Sequence, residues 1–495
     1  MRDATQQPGY PLQAFEVRLA ELETSAVDAR RLAFTVRVGG EPTHQFYFDR
    51  FAKLVRDGAS GGRALVELAV DVRDGHRGEA HNYLTHGLHS YKGKFFPQLV
   101  RSLLNHAEAG PGSVVVDPFV GSGTTTLEAA LLGATGVGID RNPLAAVIAR
   151  TKLDLLRLTA GEVLKARDAI VARVGAAASQ DLPNREYLVR WFKPDVLEVV
   201  ARILGAVDEA DAPRPMKDLA RLALSNHLRA WSLQEPTQLR IFRRPDSPSG
   251  AALLRRFCGQ LDDFAACAAI GVRLVEELGI ALPEARISAG DSRDRTAWPD
   301  GAATVDAVVT SPPYATALPY IDTDRLSIFC LGLAEVSTRS SLEWDMVGTR
   351  EILTRPRRQL EQALAENAAS LPAVVVADIR AIKAANERVE VGFRRRNLPA
   401  LLYRYFVDMQ VVIERAARAL RRGGLLAMVV GDSHTVAGGE RTRIRTCDFL
   451  CAIAADAGLD CLERIPMGGQ ASYLPHQRNG IPHEEILLFR RRSEV

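Results

Sequence analysis

"GSVVVDPFVGSGTTTLEAALLGATGVGIDRNPLA", residues 112–145, reads as strand, glycine-rich turn, helix and strand. Val114, Val115 and Val116 suit a strand buried on both faces, as in parallel sheets. Thr125 to Leu132 suits a crossover helix, a glycine follows, and Val137 to Ile139 begins the next strand. This is a βαβ unit, and each strand ends on a carboxylate: Asp117 on the first, Asp140 on the second.

Further strand-like runs lie outward from this unit: "ARIS" (285–288), "DAVVT" (306–310), "GLLAMVVGD" (424–432) and "EEILLFRR" (484–491). Helical patterns separate them, among them 408–424 and 447–459. Alternating strands and helices argue for an α/β, doubly wound, mostly parallel sheet, in which ligands sit at the carboxyl ends of the strands. Asp117, Asp140, Asp291 and the stretch Ser311 to Tyr314 all fall there. Residues 1–80 mix strand-like runs with Gly-rich turns and read as a small appended unit. The expected organisation is therefore 1–80, then the first part of a catalytic domain (81–150), a helical insertion (151–282), and the second part (283–495) with a further insertion at 333–400.

The chain has 495 residues, 47% apolar and 25% charged, with a formal net charge of +3. These values suit a soluble globular protein with a sizeable core, and the small charge names no partner by itself. Its 6 cysteines form no CxxC pair and no metal-like spacing, so no metal is expected and the thiols read as reduced, in a cytoplasmic protein. No stretch approaches a membrane span.

"DPFVGSGTT" (117–125) admits several readings. A dinucleotide fingerprint wants a third glycine where Thr126 stands, and a phosphate-binding P-loop wants a lysine that is absent. A nucleoside-bearing ligand without phosphate would fit, with the backbone approaching it closely at Gly121 and Gly123 and Asp140 accepting ribose hydroxyls. A tight βα turn with no ligand is the plain alternative.

"AVVTSPPY" (307–314) ends a strand on Ser311, Pro312, Pro313 and Tyr314. Proline lacks an N–H, so this rim offers hydrogen-bond acceptors only. An exocyclic amino group, with two N–H donors, wants such a rim, and Tyr314 offers a face on which a base can stack. A base used this way must first leave its duplex. A structural Pro-Pro turn capping a strand is the alternative.

Together "DPFVGSGTT" and "SPPY" resemble the S-adenosylmethionine-dependent DNA amino-methyltransferases of restriction–modification systems, and the serine form is similar to the cytosine-N4 branch. "HSYKGKFFPQL" (89–99) and "GDSRD" (290–294) resemble further motifs of that family. The resemblance implies a doubly wound, seven-stranded Rossmann-like methyltransferase sheet and S-adenosyl-L-methionine as cofactor. It implies that Tyr91, Lys94, Asp117, Phe119, Gly121, Gly123, Thr124, Asp140 and Asp291 bind the cofactor, with Asp140 on the ribose and Asp291 on the adenine. Ser311, Pro312, Pro313 and Tyr314 would hold the target base, flipped from double-stranded DNA. A cognate restriction endonuclease is the partner that such systems allow. DNA adenine-N6 and tRNA guanine-N2 methylation are the alternative reactions.

Candidate phosphate contacts are "RIFRRP" (240–245) with Arg255 and Arg256, "GTREILTRPRR" (348–358) and "FRRRN" (393–397). The insertion at 151–282 is a candidate for DNA recognition or dimerisation.

Overall fold

The computed structural model describes Arg18 and residues 84–236, 241–277, 279–315, 320–350, 352–467 and 484–492. The unit expected over residues 1–80 lies outside the described residues, apart from Arg18. The strands are β1 (Val114–Asp117), β2 (Thr135–Ile139), β3 (Arg286–Ser288), β4 (Val305–Thr310), β5 (Leu420–Gly431), β6 (Ser433–Ala437), β7 (Glu440–Ile444), β8 (Leu459–Met467) and β9 (Glu484–Arg491). Seven form one sheet in the order β3-β2-β1-β4-β5-β9-β8, while β6 and β7 form a separate two-stranded ribbon. Neighbours from β3 to β5 run parallel; β9 runs antiparallel to both β5 and β8. The doubly wound, seven-stranded sheet expected from the sequence is present.

The order reverses between β1 and β4. From β1 the chain steps outward through β2 to β3, then returns to β1's other side at β4 and proceeds to β5. A crevice opens at such a switch point, beyond the carboxyl ends of the strands. The ends concerned are Asp117 and Thr310, which lead directly into the two motif loops.

Alternating strand residues face opposite layers. Val115, Ala307, Val309 and Val429 pack with Leu99, Val100, Leu103 and Leu104 of α1 (Pro97–His106). Val116, Val308, Leu426 and Met428 belong to a second cluster on the opposite face. That cluster includes α11 (Thr354–Glu366), α12 (Ala373–Glu387), α13 (Phe393–Ala419) and α14 (Thr446–Asp456), which lie C-terminal to the helices α2 to α10 introduced below. The helical pattern expected at 408–424 ends earlier, at Ala419. Leu420 already pairs with Val305, Arg421 Nε donates to Asp306 Oδ1 (2.6 Å), and the run after it enters β5 through a register shift. Tertiary pairing wins over local helical pattern there.

The crossover helix α2 (Thr124–Leu131) is followed beyond β2 by α3 (Pro143–Leu155). Asn142 caps α3 by accepting from the Leu144 N–H (3.0 Å), with Pro143 at the first helical position. Then come α4 (Ala160–Ala176), α5 (Arg185–Leu188), α6 (Pro194–Glu209), α7 (Arg214–Trp231) and α8 (Gly250–Glu277) before β3. The boundary expected at 150/151 falls inside α3. Ile148 and Leu155 of α3 share one core with Ile170, Phe192, Val200, Leu224 and Phe257 of the added helices, and with Leu326, Phe329 and Cys330 of α9 (Tyr320–Cys330), the helix after the second motif loop. The helical insertion is thus seated on α3 and α9. Next comes α10 (Arg339–Asp345). The boundary expected at 400 likewise falls inside α13. Among the described residues, no helix is long and apolar enough to cross a membrane.

Candidate active site

β1 delivers Asp117 to the switch point, 2% exposed. Its Oδ1 accepts from the Phe119 N–H (3.1 Å) and from the Thr310 hydroxyl at the end of β4 (2.6 Å). One carboxylate oxygen therefore joins the two motif loops. Burial pushes the Asp117 pKa up to about 6, against hydrogen bonds from Thr310, Thr125 and the Phe119 N–H, which favour the charged form.

The glycine loop turns tightly because two of its residues adopt left-handed backbone: Gly121 at φ +48° and Gly123 at φ +79°. The two glycines serve different contacts. A Cβ on Gly123 would lie 2.7 Å from the backbone of Ala149 in α3, so this glycine permits close packing between loop and helix. A Cβ on Gly121 would meet the Tyr91 ring at 3.2 Å. Tyr91 is thereby placed beside the loop, as the sequence implied. The Thr124 hydroxyl donates to the Phe95 carbonyl (3.4 Å), a second tie between the loop and the segment that carries Tyr91 and Lys94. Lys152, fully buried, donates from Nζ to the Ser122 carbonyl (2.6 Å); burial holds its pKa well below the ordinary value. The Ser122 hydroxyl, 3% exposed, has no hydrogen-bond partner among the described residues. Phe119 is only partly buried, at the edge of the sheet core.

Asp140 ends β2 with both oxygens engaged: Oδ2 accepts from the Gly121 N–H (2.8 Å) and Oδ1 from the Asn142 N–H (2.8 Å). Burial raises its pKa to about 6 despite these bonds. Its first task is to hold the loop, and a lone pair on each oxygen is left for a ligand hydroxyl. Asp291 follows β3, whose Ser288 carbonyl accepts from the Asp140 N–H (3.2 Å). Its carboxylate is paired with Arg293, Nη2 to Oδ2 at 2.6 Å and Nε to Oδ1 at 2.9 Å, and Arg293 also reaches Asp408 (2.8 Å). Burial pushes Asp291 up, but the Arg293 pair outweighs it and leaves the pKa below the ordinary value.

After Thr310 come Ser311, Pro312, Pro313 and Tyr314, with Pro312 buried and the others half-buried. Gly348, at φ +79°, lets another segment approach: a Cβ there would lie 3.3 Å from the Pro313 side chain. The Tyr314 phenol donates to Glu484 Oε1 (2.7 Å), at the start of β9. Because β9 is antiparallel, its beginning lies at the sheet's carboxyl edge, where Glu484 pairs with Gly431. That bond fixes the ring of the residue expected to stack a base.

Asp324, on α9, was missed by sequence reasoning. It accepts from Asn142 Nδ2 (2.8 Å), so Asn142 links it to Asp140. Burial raises its pKa to about 6, opposed by Asn142, Lys92 and Arg229 and reinforced by Asp140. Its only signal was position, one helix after the proline pair. Lys94 lies within electrostatic reach of Lys152 and His86.

Comparison with known proteins agrees with these motifs. A DNA methylase family model matches residues 69–150. The type II methyltransferase M.MjaII of Methanocaldococcus jannaschii is 46% identical over 68 residues, 14% of this chain and 13% of that protein. M.BsoBI of Geobacillus stearothermophilus is 33% identical over 96 residues (19% and 17%), and M.MvaI of Kocuria varians is 25% identical over 278 residues (50% and 58%). The chain thus spans 13% to 58% of the length of these curated relatives. A Thermus thermophilus structure, assigned provisionally as a DNA modification methylase and solved with S-adenosyl-L-methionine, overlaps 18% of this chain and 38% of its own at 23% identity, with a TM-score of 0.16. The resemblance seen in the sequence is borne out over residues 69–150, which hold the glycine loop, Asp117 and Asp140 and match the DNA methylase family model.

Proposed function

We propose that this chain transfers a methyl group from S-adenosyl-L-methionine to the exocyclic N4 of cytosine in DNA. The observation that carries this reading is the Thr310–Asp117 hydrogen bond, which sets the acceptor-only rim and the glycine loop side by side at the switch point. When bound, the cofactor supplies an electrophilic sulfonium methyl. Tyr91, Lys94, Asp117, Phe119, Gly121, Gly123 and Thr124 would line its place, with Asp140 toward the ribose and Asp291 toward the adenine. The residues present fit such a group: Gly121 leaves room beside Tyr91, the buried Ser122 hydroxyl lacks a partner among the described residues, and Asp140 keeps a lone pair on each oxygen.

The chain's own work is placement. Ser311, Pro312 and Pro313 accept from the N–H groups of the target amine, which favours a more tetrahedral nitrogen with its lone pair free for in-line attack. Tyr314, held by Glu484, supplies the stacking face. The amine needs no strong base, since its proton becomes acidic as the new nitrogen–carbon bond forms.

The test is nucleoside mass spectrometry of plasmid DNA propagated with this protein and with a Pro312→Ala variant. N4-methylcytosine with the intact protein alone is the expected result. N6-methyladenine would keep the enzyme class and overturn the choice of base. Unmodified DNA together with labelled methyl on tRNA would overturn the DNA substrate.

A further inference from the structure

We propose that the ribbon formed by β6 and β7 enters a groove of the DNA beside the target base and takes part in choosing the sequence. The proposal rests on the DNA methyltransferase reading above and adds which element meets the duplex.

The ribbon has an inner and an outer face. Its register pairs His434 with Arg443 and Val436 with Arg441. Directly opposed residues share a face, and alternate pairs point the other way. Ala437 and Ile444, 4% and 2% exposed, turn into the core cluster of α12 and α13. His434, Val436, Arg441 and Arg443 therefore make the outer face, with both arginines exposed and no acidic residue among them. Arginine recognises guanine edges and phosphates, and an aliphatic side chain such as Val436 suits a thymine methyl.

The ribbon is also held still. At its base, Asp432, 2% exposed, accepts from the Cys447 N–H (2.9 Å) and from Arg443 Nε (2.6 Å). Beside it, Arg445 donates twice to Asp378 of α12, at 2.7 and 2.9 Å. At its tip, Gly438 at φ +61° lies against Ala385; a Cβ would stand 3.3 Å from that carbonyl. An element that meets its partner already ordered loses less entropy on binding.

Position names the partner. β6 starts two residues after Gly431, whose cross-strand neighbour Glu484 holds the Tyr314 phenol. The ribbon thus rises from the sheet edge that carries the acceptor rim. A major groove about 12 Å wide admits a two-stranded ribbon. Duplex DNA flanking a flipped base is the ligand that meets both the exposed Arg441 of the outer face and this location.

Arg441 is the residue to test, because it is exposed and makes no ion pair among the described residues. The protein, Arg441→Ala and Arg441→Glu are compared by fluorescence anisotropy on duplex DNA over a salt series and by sequencing of the methylated motif in expressing cells. Calorimetry with S-adenosyl-L-methionine serves as the control. Expected are about tenfold weaker DNA binding for Arg441→Ala, a larger loss for Arg441→Glu, and either a salt slope lower by about 0.9 or a relaxed motif, with cofactor affinity unchanged. Equal DNA affinity and an identical motif in all three proteins would overturn the ribbon's role and leave the methyltransferase reading intact. Failure of the unaltered protein to bind or modify DNA would overturn that reading, and the ribbon's role with it.

Discussion

Helices α4 to α8, inserted between β2 and β3, and helices α10 to α12 with the first turn of α13 and the β6–β7 ribbon, added after β4, both carry exposed arginines but differ in the polar groups they bury. Around the first addition a polar network is buried, while Arg185, Arg190, Arg255 and Arg256 stay exposed. Arg325 of α9 is fully buried: Nε donates to the Tyr187 hydroxyl (2.9 Å), Nη1 donates to Gln234, and the guanidinium lies 4.4 Å over the Trp191 ring. His89, beside Tyr91, meets the Ser225 hydroxyl of α7 (3.0 Å), which donates to Ser327 of α9 (2.8 Å). The Asn184 amide donates to the Phe329 and Ala334 carbonyls (3.1 and 3.0 Å). The second addition carries a further exposed basic set. Arg355, Arg358, Arg394, Arg395 and Arg441 are exposed, and none has a carboxylate within ion-pair distance among the described residues. Leu353 and Phe393 stand exposed beside them, at 78% and 56%. The contrast teaches that the larger insertion braces the segment carrying Tyr91 and the helix after the proline pair, while the smaller addition leaves arginines exposed beside apolar side chains.

The largest effect should come from removing the brace's central cation. Arg325→Met leaves Tyr187 and Gln234 without their donor and should cost about 2–4 kcal/mol. Urea unfolding measures it, and a loss below about 0.5 kcal/mol would break the contrast at its strongest point. Gly123→Ala comes next. A left-handed backbone and a Cβ 2.7 Å from Ala149 should together cost about 2–3 kcal/mol and abolish binding of S-adenosyl-L-methionine in calorimetry.

His89 sharpens the contrast through pH. Burial lowers its pKa to about 3, so the unfolded chain takes up the proton first. The stability from burying a neutral ring is complete above the ordinary value of about 6.5 and is lost as pH falls toward 3, about 2 kcal/mol by pH 5. Asp117, Asp140 and Asp324, raised to about 6, oppose this, since their protonated forms favour the fold at low pH. The readout is therefore a difference: between pH 7 and 5, His89→Asn should lose less stability than the unaltered protein, and parallel curves would remove His89 from the account. The smallest effect on stability belongs to the outward face. Arg394→Ser with Arg395→Ser should change unfolding by under about 0.5 kcal/mol, yet lower the salt slope of DNA binding by up to about 1.8. An unchanged slope would exclude these two side chains from the DNA contact.

The sheet and its two loops were legible because they are local: three valines, a GxG turn and a proline pair each write their structure within ten residues. What escaped was made by tertiary contact. The sequence marks Asp140 as a ligand carboxylate, but nothing in it shows both oxygens already holding backbone N–H groups. The resemblance implies Asp291 on the adenine, and nothing in it shows that Arg293, two residues on, pairs with its carboxylate. Asp324 acquires meaning only through Asn142, distant in sequence. The ribbon was hidden because its strands are short and polar, and the Gly438-Gly439 turn between them carries a signal only if the flanking residues are already seen as paired.

The bond from Thr310 to Asp117 has a consequence for how such a protein can change. β1 and β4 are adjacent parallel strands, Val116 opposite Val308, so their ends are spaced by the sheet repeat of about 4.8 Å. The interval between the two motif loops is then a property of backbone register, the stiffest dimension the chain possesses. Segments inserted elsewhere can lengthen or shrink without changing that spacing, because the ruler is not part of them.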